Sequence, residues 1–168
     1  MSAYLHLRAV PSPALRNSTT WLRRLFADDE DTVRDRIDRH REEVLDDRYH
    51  DHQLLYADAP PEHVDAGPGA HVVLGGQRVF ATEPKQPPFL LLTAAQTARV
   101  ATYLAEADFE ELWRPARAEL LPRYGGPAEE PRTRAAFASA HRDLTAFYTT
   151  TARYGDAVVK WLLTPAPC

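Results

Sequence analysis

Thiol chemistry is almost missing from this chain, whose 168 residues include a single cysteine, Cys168, at the last position. One cysteine excludes an internal disulfide and any thiolate-rich metal site, and a thiol in a tail is a poor nucleophile. No apolar run approaches the roughly 18 residues needed to cross a bilayer. The N-terminal segment also lacks the basic stretch, apolar stretch and small-residue cleavage site of a secretory signal, so the expected location is the cytoplasm, off the membrane. Lysine is scarce too: the 20 basic residues comprise 18 arginines and two lysines, an imbalance we attribute to coding bias. With a net charge of −4, the basic face that nucleic-acid binding requires is not expected. Ser12, Ser18 and Ser139 lie in capping or helical contexts, none in a Gly-x-Ser-x-Gly elbow, which argues against a serine nucleophile. No metal site and no cofactor is expected.

What is present suffices for one compact domain spanning residues 1–168. Apolar residues make up 44% of the chain and mean hydropathy is −0.45, an ordinary balance for a water-soluble globule. Tyr4 to Val10 alternates with period two and predicts a strand. Ser12-Pro13 reads as a helix start, with Trp21, Leu22, Leu25 and Phe26 on one face of the helix that follows. The acidic run Asp28 to Asp31 predicts the start of a second helix, with an apolar stripe of Val33, Ile37, His40 and Val44. His71 to Leu74 and Gln77 to Ala81 read as two strands of a hairpin turned at Gly75-Gly76. Phe89 to Leu92 predicts a buried strand, and Thr93-Ala94-Ala95-Gln96 is a capping box opening a helix. Asp108 opens another, which Pro115 is expected to kink or restart. The last helix is expected from about Arg132 to Tyr154, stopped by Gly155. A central strand, Ala157 to Leu163, then follows. The fold class is therefore α+β: a small antiparallel or mixed sheet of about four to five strands against about five helices.

The strings Leu144 to Tyr148 with Gly155 to Val158, Phe89 to Thr93 with the two helices after it, and the Leu74-Gly75-Gly76 turn resemble the YfbM-like family of bacterial proteins, also called domain of unknown function 1877. The resemblance implies an α+β fold and brings no established activity. That family's Asp-Lys-x-Trp-His-x-x-His-like stretch is matched by Asp46 to Gln53. Tyr49 takes the tryptophan position, His50 keeps the first histidine and Gln53 replaces the second, while His52 sits one residue short of it.

The same stretch is the densest cluster of titratable and aromatic groups: Asp46, Asp47, Tyr49, His50, Asp51, His52 and Tyr56. Imidazoles titrate near neutrality and a neighbouring carboxylate raises their basicity, as a general base requires. If the stretch is extended, His50 and His52 point the same way and Asp51 opposite; if helical, the two rings diverge. The bland reading is a charged helix end leading into a loop. Three functions stay open. A small-ligand or protein-binding module would use a cleft near residues 46–56, with Asp46, Tyr49, His50, Gln53, Tyr56 and His71 as ligand-binding candidates, beside the loop from Ala57 to Gly69. An enzyme would use His50 or His52 as acid or base with Asp51 and Tyr56, and His63 and His71 could join it in space. The third is an acidic domain that neutralises or regulates a protein partner.

Overall fold

The computed structural model describes residues 3–57 and 67–164. His63, Cys168 and most of the Ala57 to Gly69 stretch lie outside the described residues. In chain order the elements are β1 (Tyr4–Val10), α1 (Thr19–Arg24), α2 (Glu30–Asp38), β2 (Glu42–Leu45), α3 (Tyr49–Tyr56) and α4 (Gly67–His71), followed by β3 (Gln77–Val79), β4 (Phe89–Leu92), α5 (Ala94–Glu106), α6 (Phe109–Leu120), α7 (Glu130–Arg153) and β5 (Ala157–Leu163).

The five strands form one antiparallel sheet in the order β2-β1-β5-β4-β3. This is the α+β class expected. β5 lies between β1 and β4, and Val158, Val159 and Lys160 are fully buried, as a central strand requires. Register places Leu5 opposite Leu162 and Leu45, and Leu7 opposite Lys160 and Glu43. Because successive strand side chains alternate between faces, Leu5, Leu7, Ala9, Leu92 and Val158 all meet the main core, built with Phe137, Leu144, Phe147 and Tyr148 of α7 and with apolar residues of α3, α5 and α6. Val10, Phe89, Leu91 and Val159 face the other way, onto Leu22, Trp21, Leu25 and Phe26 around α1.

Local signals place several boundaries. The Thr93 hydroxyl accepts from the Gln96 N–H while the Gln96 side chain accepts from the Thr93 N–H, a reciprocal cap on α5. Asp108 caps α6 through the Glu110 N–H, and Gly155 follows α7 with φ 67°, a conformation glycine adopts without a Cβ penalty.

Four expectations are corrected. Ser12-Pro13 opens a single 3₁₀ turn, and the helix begins only at Thr19, capped by Ser18. The second helix stops at Asp38: His40 adopts φ 57°, Arg41 N–H donates to the Arg36 carbonyl at 2.8 Å, and this left-handed closure takes the place usually held by glycine. Val44 therefore belongs to a strand, and His40 is exposed. The Gly75-Gly76 hairpin does not form. His71 ends α4, Val72 and Val73 are fully buried in the main core, and β3 pairs with β4. Gly75 is needed for close approach instead, since a Cβ there would lie 2.3 Å from the Ala70 carbonyl oxygen. Finally, of the kink or restart expected at Pro115 the restart does not occur: α6 continues through that residue as one helix, without the hydrogen bond it cannot donate.

Candidate functional site

α3 settles the geometry of the histidine cluster. Asp46 prepares its start: its carboxylate accepts from the Arg48 N–H at 3.0 Å and its carbonyl from the Tyr49 N–H at 3.1 Å. From Tyr49 onward the backbone is helical, and at about 100° per residue the rings of His50 and His52 leave on nearly opposite sides. His50 is exposed beside the Tyr49 ring. His52 is 4% exposed, its ring 4.6 Å from that of Phe137. Burial pushes the His52 pKa down to about 4, so the ring is neutral at pH 7, and its Nδ1 is buried with no hydrogen-bond partner.

The other candidates on this helix fasten it to the core. The buried Asp51 carboxylate accepts from the Arg123 guanidinium and from the Tyr124 hydroxyl; burial and the nearby carboxylate raise the Tyr124 pKa. Gln53 accepts from the Leu74 N–H at 2.9 Å and donates to the Ala70 carbonyl at 3.5 Å. The Tyr56 hydroxyl meets His141 Nδ1 at 2.8 Å; burial raises the tyrosine pKa and lowers that of the histidine. His71 is buried at the end of α4, with its pKa lowered by burial and by Lys160. Its carbonyl accepts from Lys160 Nζ, which also donates to the Gly75 carbonyl at 2.9 Å. No side-chain hydrogen bond joins His50, Asp51, His52 and Tyr56 to one another among the described residues, and His50 and His52 open to different spaces.

Those spaces are two cavities, one on each flank of α3. The first, about 330 Å³, is predominantly apolar. Leu5, Leu90 and Leu162 floor it at the end of the sheet, Tyr49 and His50 form the α3 wall, and Phe80, Pro87, Pro88 and Arg78 frame its mouth. Phe80 is 66% exposed there, which is unusual for a phenylalanine. The second cavity, about 300 Å³, is polar and lies between β2, α3 and α7. It is lined by Glu43, Asp46, Arg48, His52, Ser139 and Asp143, with short apolar side chains between them. Of the sequence candidates, Tyr49 and His50 thus reach one cavity and Asp46 and His52 the other, while Asp51, Gln53, Tyr56 and His71 are held in structural contacts. Sequence reading missed Glu43, Asp143, Phe80 and Leu162. Of these only Phe80 carried a signal, an aromatic inside a run of prolines and polar residues.

A five-stranded antiparallel sheet with helices on both faces defines an α+β protein, and the comparisons narrow that class. The family model described as "Domain of unknown function (DUF1877)" matches residues 1–161, and the chain belongs to that family. Among solved structures it is similar to the protein of unknown function YfbM from Escherichia coli, at 17% identity and a TM-score of 0.59, over 97% of this chain and 100% of the other. No curated protein matches the chain.

Proposed function

We propose that this domain binds a small molecule with an apolar body in the 330 Å³ cavity, with Tyr49 and His50 of α3 as the polar-tipped wall against which the ligand orients. The single observation that carries the reading is the construction of the cavity itself. Leu5, Leu90 and Leu162 from three strands meet Tyr49 and His50 of α3 around one apolar space, and the aromatic side chain of Phe80 stands exposed at its rim. The volume lies at the small end of the range for small-ligand sites, and an apolar lining with a few convergent polar groups is their usual composition. A flat protein-binding surface would not need this depth. The acid–base alternative loses support because its four residues do not converge: Asp51 is already engaged by Arg123 and Tyr124, and Tyr56 by the buried His141.

A ligand-observed NMR screen with small aromatic and six- to eight-carbon acyl fragments tests the proposal. Binders are expected, and they should be displaced from the protein by Leu162→Trp, which fills the floor of the cavity while leaving its walls in place. A screen with no binders, or binders indifferent to that substitution, would overturn it.

A further inference from the structure

We infer that the ligand of the apolar cavity is an ionised carboxylic acid, with its apolar body over Leu5, Leu90 and Leu162 and its carboxylate at the mouth against Arg78. This rests on the cavity being a small-molecule site, and adds the charge of the ligand and the residue that selects it.

The register of the sheet places these groups. Arg78 of β3 lies opposite Leu90 of β4, Leu90 lies opposite Lys160 of β5, and Leu162 of β5 lies opposite Leu5 of β1. Cross-strand partners share a face, and so do residues two apart on one strand, so Arg78 stands on the face that carries all three leucines. β3 is the last strand of the sheet, which puts the guanidinium at the outer end of an apolar floor. Arg78 is exposed, as suits a long side chain that covers apolar surface with its stem and keeps its charge in water. Phe80, two residues on, borders the same mouth.

The charge of the lining then selects the ligand. Among the described residues that line this cavity, Arg78 is the only arginine or lysine, and none is a carboxylate. Three other cavities each set an acid beside their cation: Glu106 with Arg99, Asp46 with Arg48, and Glu129 with Arg132. An anionic head meets repulsion as well as attraction in those; in the apolar cavity its neighbours are Arg78 and uncharged donors, although the whole chain carries a net charge of −4. The acids close by in sequence are turned to other partners, Asp51 to Arg123 and Tyr124 and Glu83 to the Gln86 side chain at 2.7 Å. The uncharged donors are the Tyr49 hydroxyl and one ring N–H of His50, present in either neutral tautomer. Arg78 takes part in an interaction of its own within the protein, and the five N–H donors of a planar guanidinium suffice for that and for a ligand carboxylate. A cationic head would face Arg78 with no acid to offset it.

The test is calorimetric titration of the intact protein with octanoate, octanamide, octylamine and octyl phosphate, which share one chain and differ in the head. Octanoate should bind about tenfold tighter than octanamide, the worth of a partly solvated charge-assisted hydrogen bond, and octylamine should bind weakest. Arg78→Gln should bring octanoate down to the level of octanamide while octanamide stays within about twofold of its affinity for the parent; Arg78→Lys should keep part of the preference. A merely structural role for Arg78 would weaken both ligands together and leave their ratio unchanged, which would overturn the inference. Equal binding of octanoate and octanamide to the parent would overturn it too, while leaving the apolar site in place. Tighter binding of octyl phosphate than of octanoate would assign a phosphate head and refute the carboxylate. Binding of none of the four would remove the apolar site and this inference with it.

Discussion

The two flanks of α3 contrast in what their side chains leave unsatisfied. On the apolar flank, Tyr49 and His50 border a space floored by leucines, where no buried polar atom among the described residues is stranded and an occupant would gain by leaving water. On the acidic flank, His52 and Glu43 are partly or fully withdrawn from water without the partners such groups usually have. Between the two, Asp51, Gln53 and Tyr56 bind the helix to α4, α7 and the turn after α6. One eight-residue helix therefore separates residues that hold the fold from residues that border open space, and substitutions along it should sort the same way.

The largest effect is expected where the helix is fastened. Asp51→Ala leaves Arg123 and the Tyr124 hydroxyl without their carboxylate and should cost about 3 kcal/mol of stability, measured by urea denaturation at pH 7. A cost below about 1 kcal/mol would mean that Asp51 is not a clamp, and the division along α3 would fail.

The acidic flank has a pH signature of two opposed parts. Glu43 has its pKa raised from 4.5 to about 7, so the folded state holds a proton the unfolded chain has lost, and its contribution is complete below pH 4.5 and disappears as pH rises through 7. His52 has its pKa lowered from 6.5 to about 4, so its contribution is complete above pH 6.5 and disappears as pH falls through 4. Each amounts to about 2 kcal/mol once partial exposure is allowed for. Between pH 4.5 and 6.5 the two slopes cancel. Relative to the parent, Glu43→Gln should therefore gain stability as pH rises from 4.5 to 8, and His52→Phe should lose relative stability over pH 4.5 to 6.5. Denaturation at four pH values reads both, and parallel curves for parent and variants would remove the opposition.

A smaller effect, about 1 kcal/mol, is expected for Tyr56→Phe, which removes the hydrogen bond to His141 but keeps the buried ring. The smallest is His50→Ala: as an exposed cavity-wall residue it should change stability by less than about 0.5 kcal/mol while weakening fragment binding, a split that thermal unfolding and NMR titration together would detect.

How far these features could be read from the chain differs sharply between its halves. From Phe89 onward the expected elements match within a few residues, because their signals are local: the Thr93 and Gln96 cap, the Asp108 cap, and Gly155 before β5. Between residues 30 and 80 the deciding contacts are distant. Glu42 to Leu45 has neither apolar alternation nor β-rich composition, and becomes a strand because β1 supplies its partner. Gln77 to Val79 pairs with β4 instead of the run before it because Val72 and Val73 are committed to the core. The histidine cluster was visible as composition, but whether it was extended or helical was not. Nor could sequence show that Asp51 would meet residues 72 and 73 positions away, or that Glu43 would lie across from α7.

The most direct measurement of the central claim is a set of intermolecular nuclear Overhauser contacts from a bound aromatic fragment to the methyl-labelled, ring-labelled protein. The account predicts contacts to the Tyr49 ring and to the methyls of Leu90 and Leu162, with His52 untouched. Contacts confined to any other part of the molecule would contradict it.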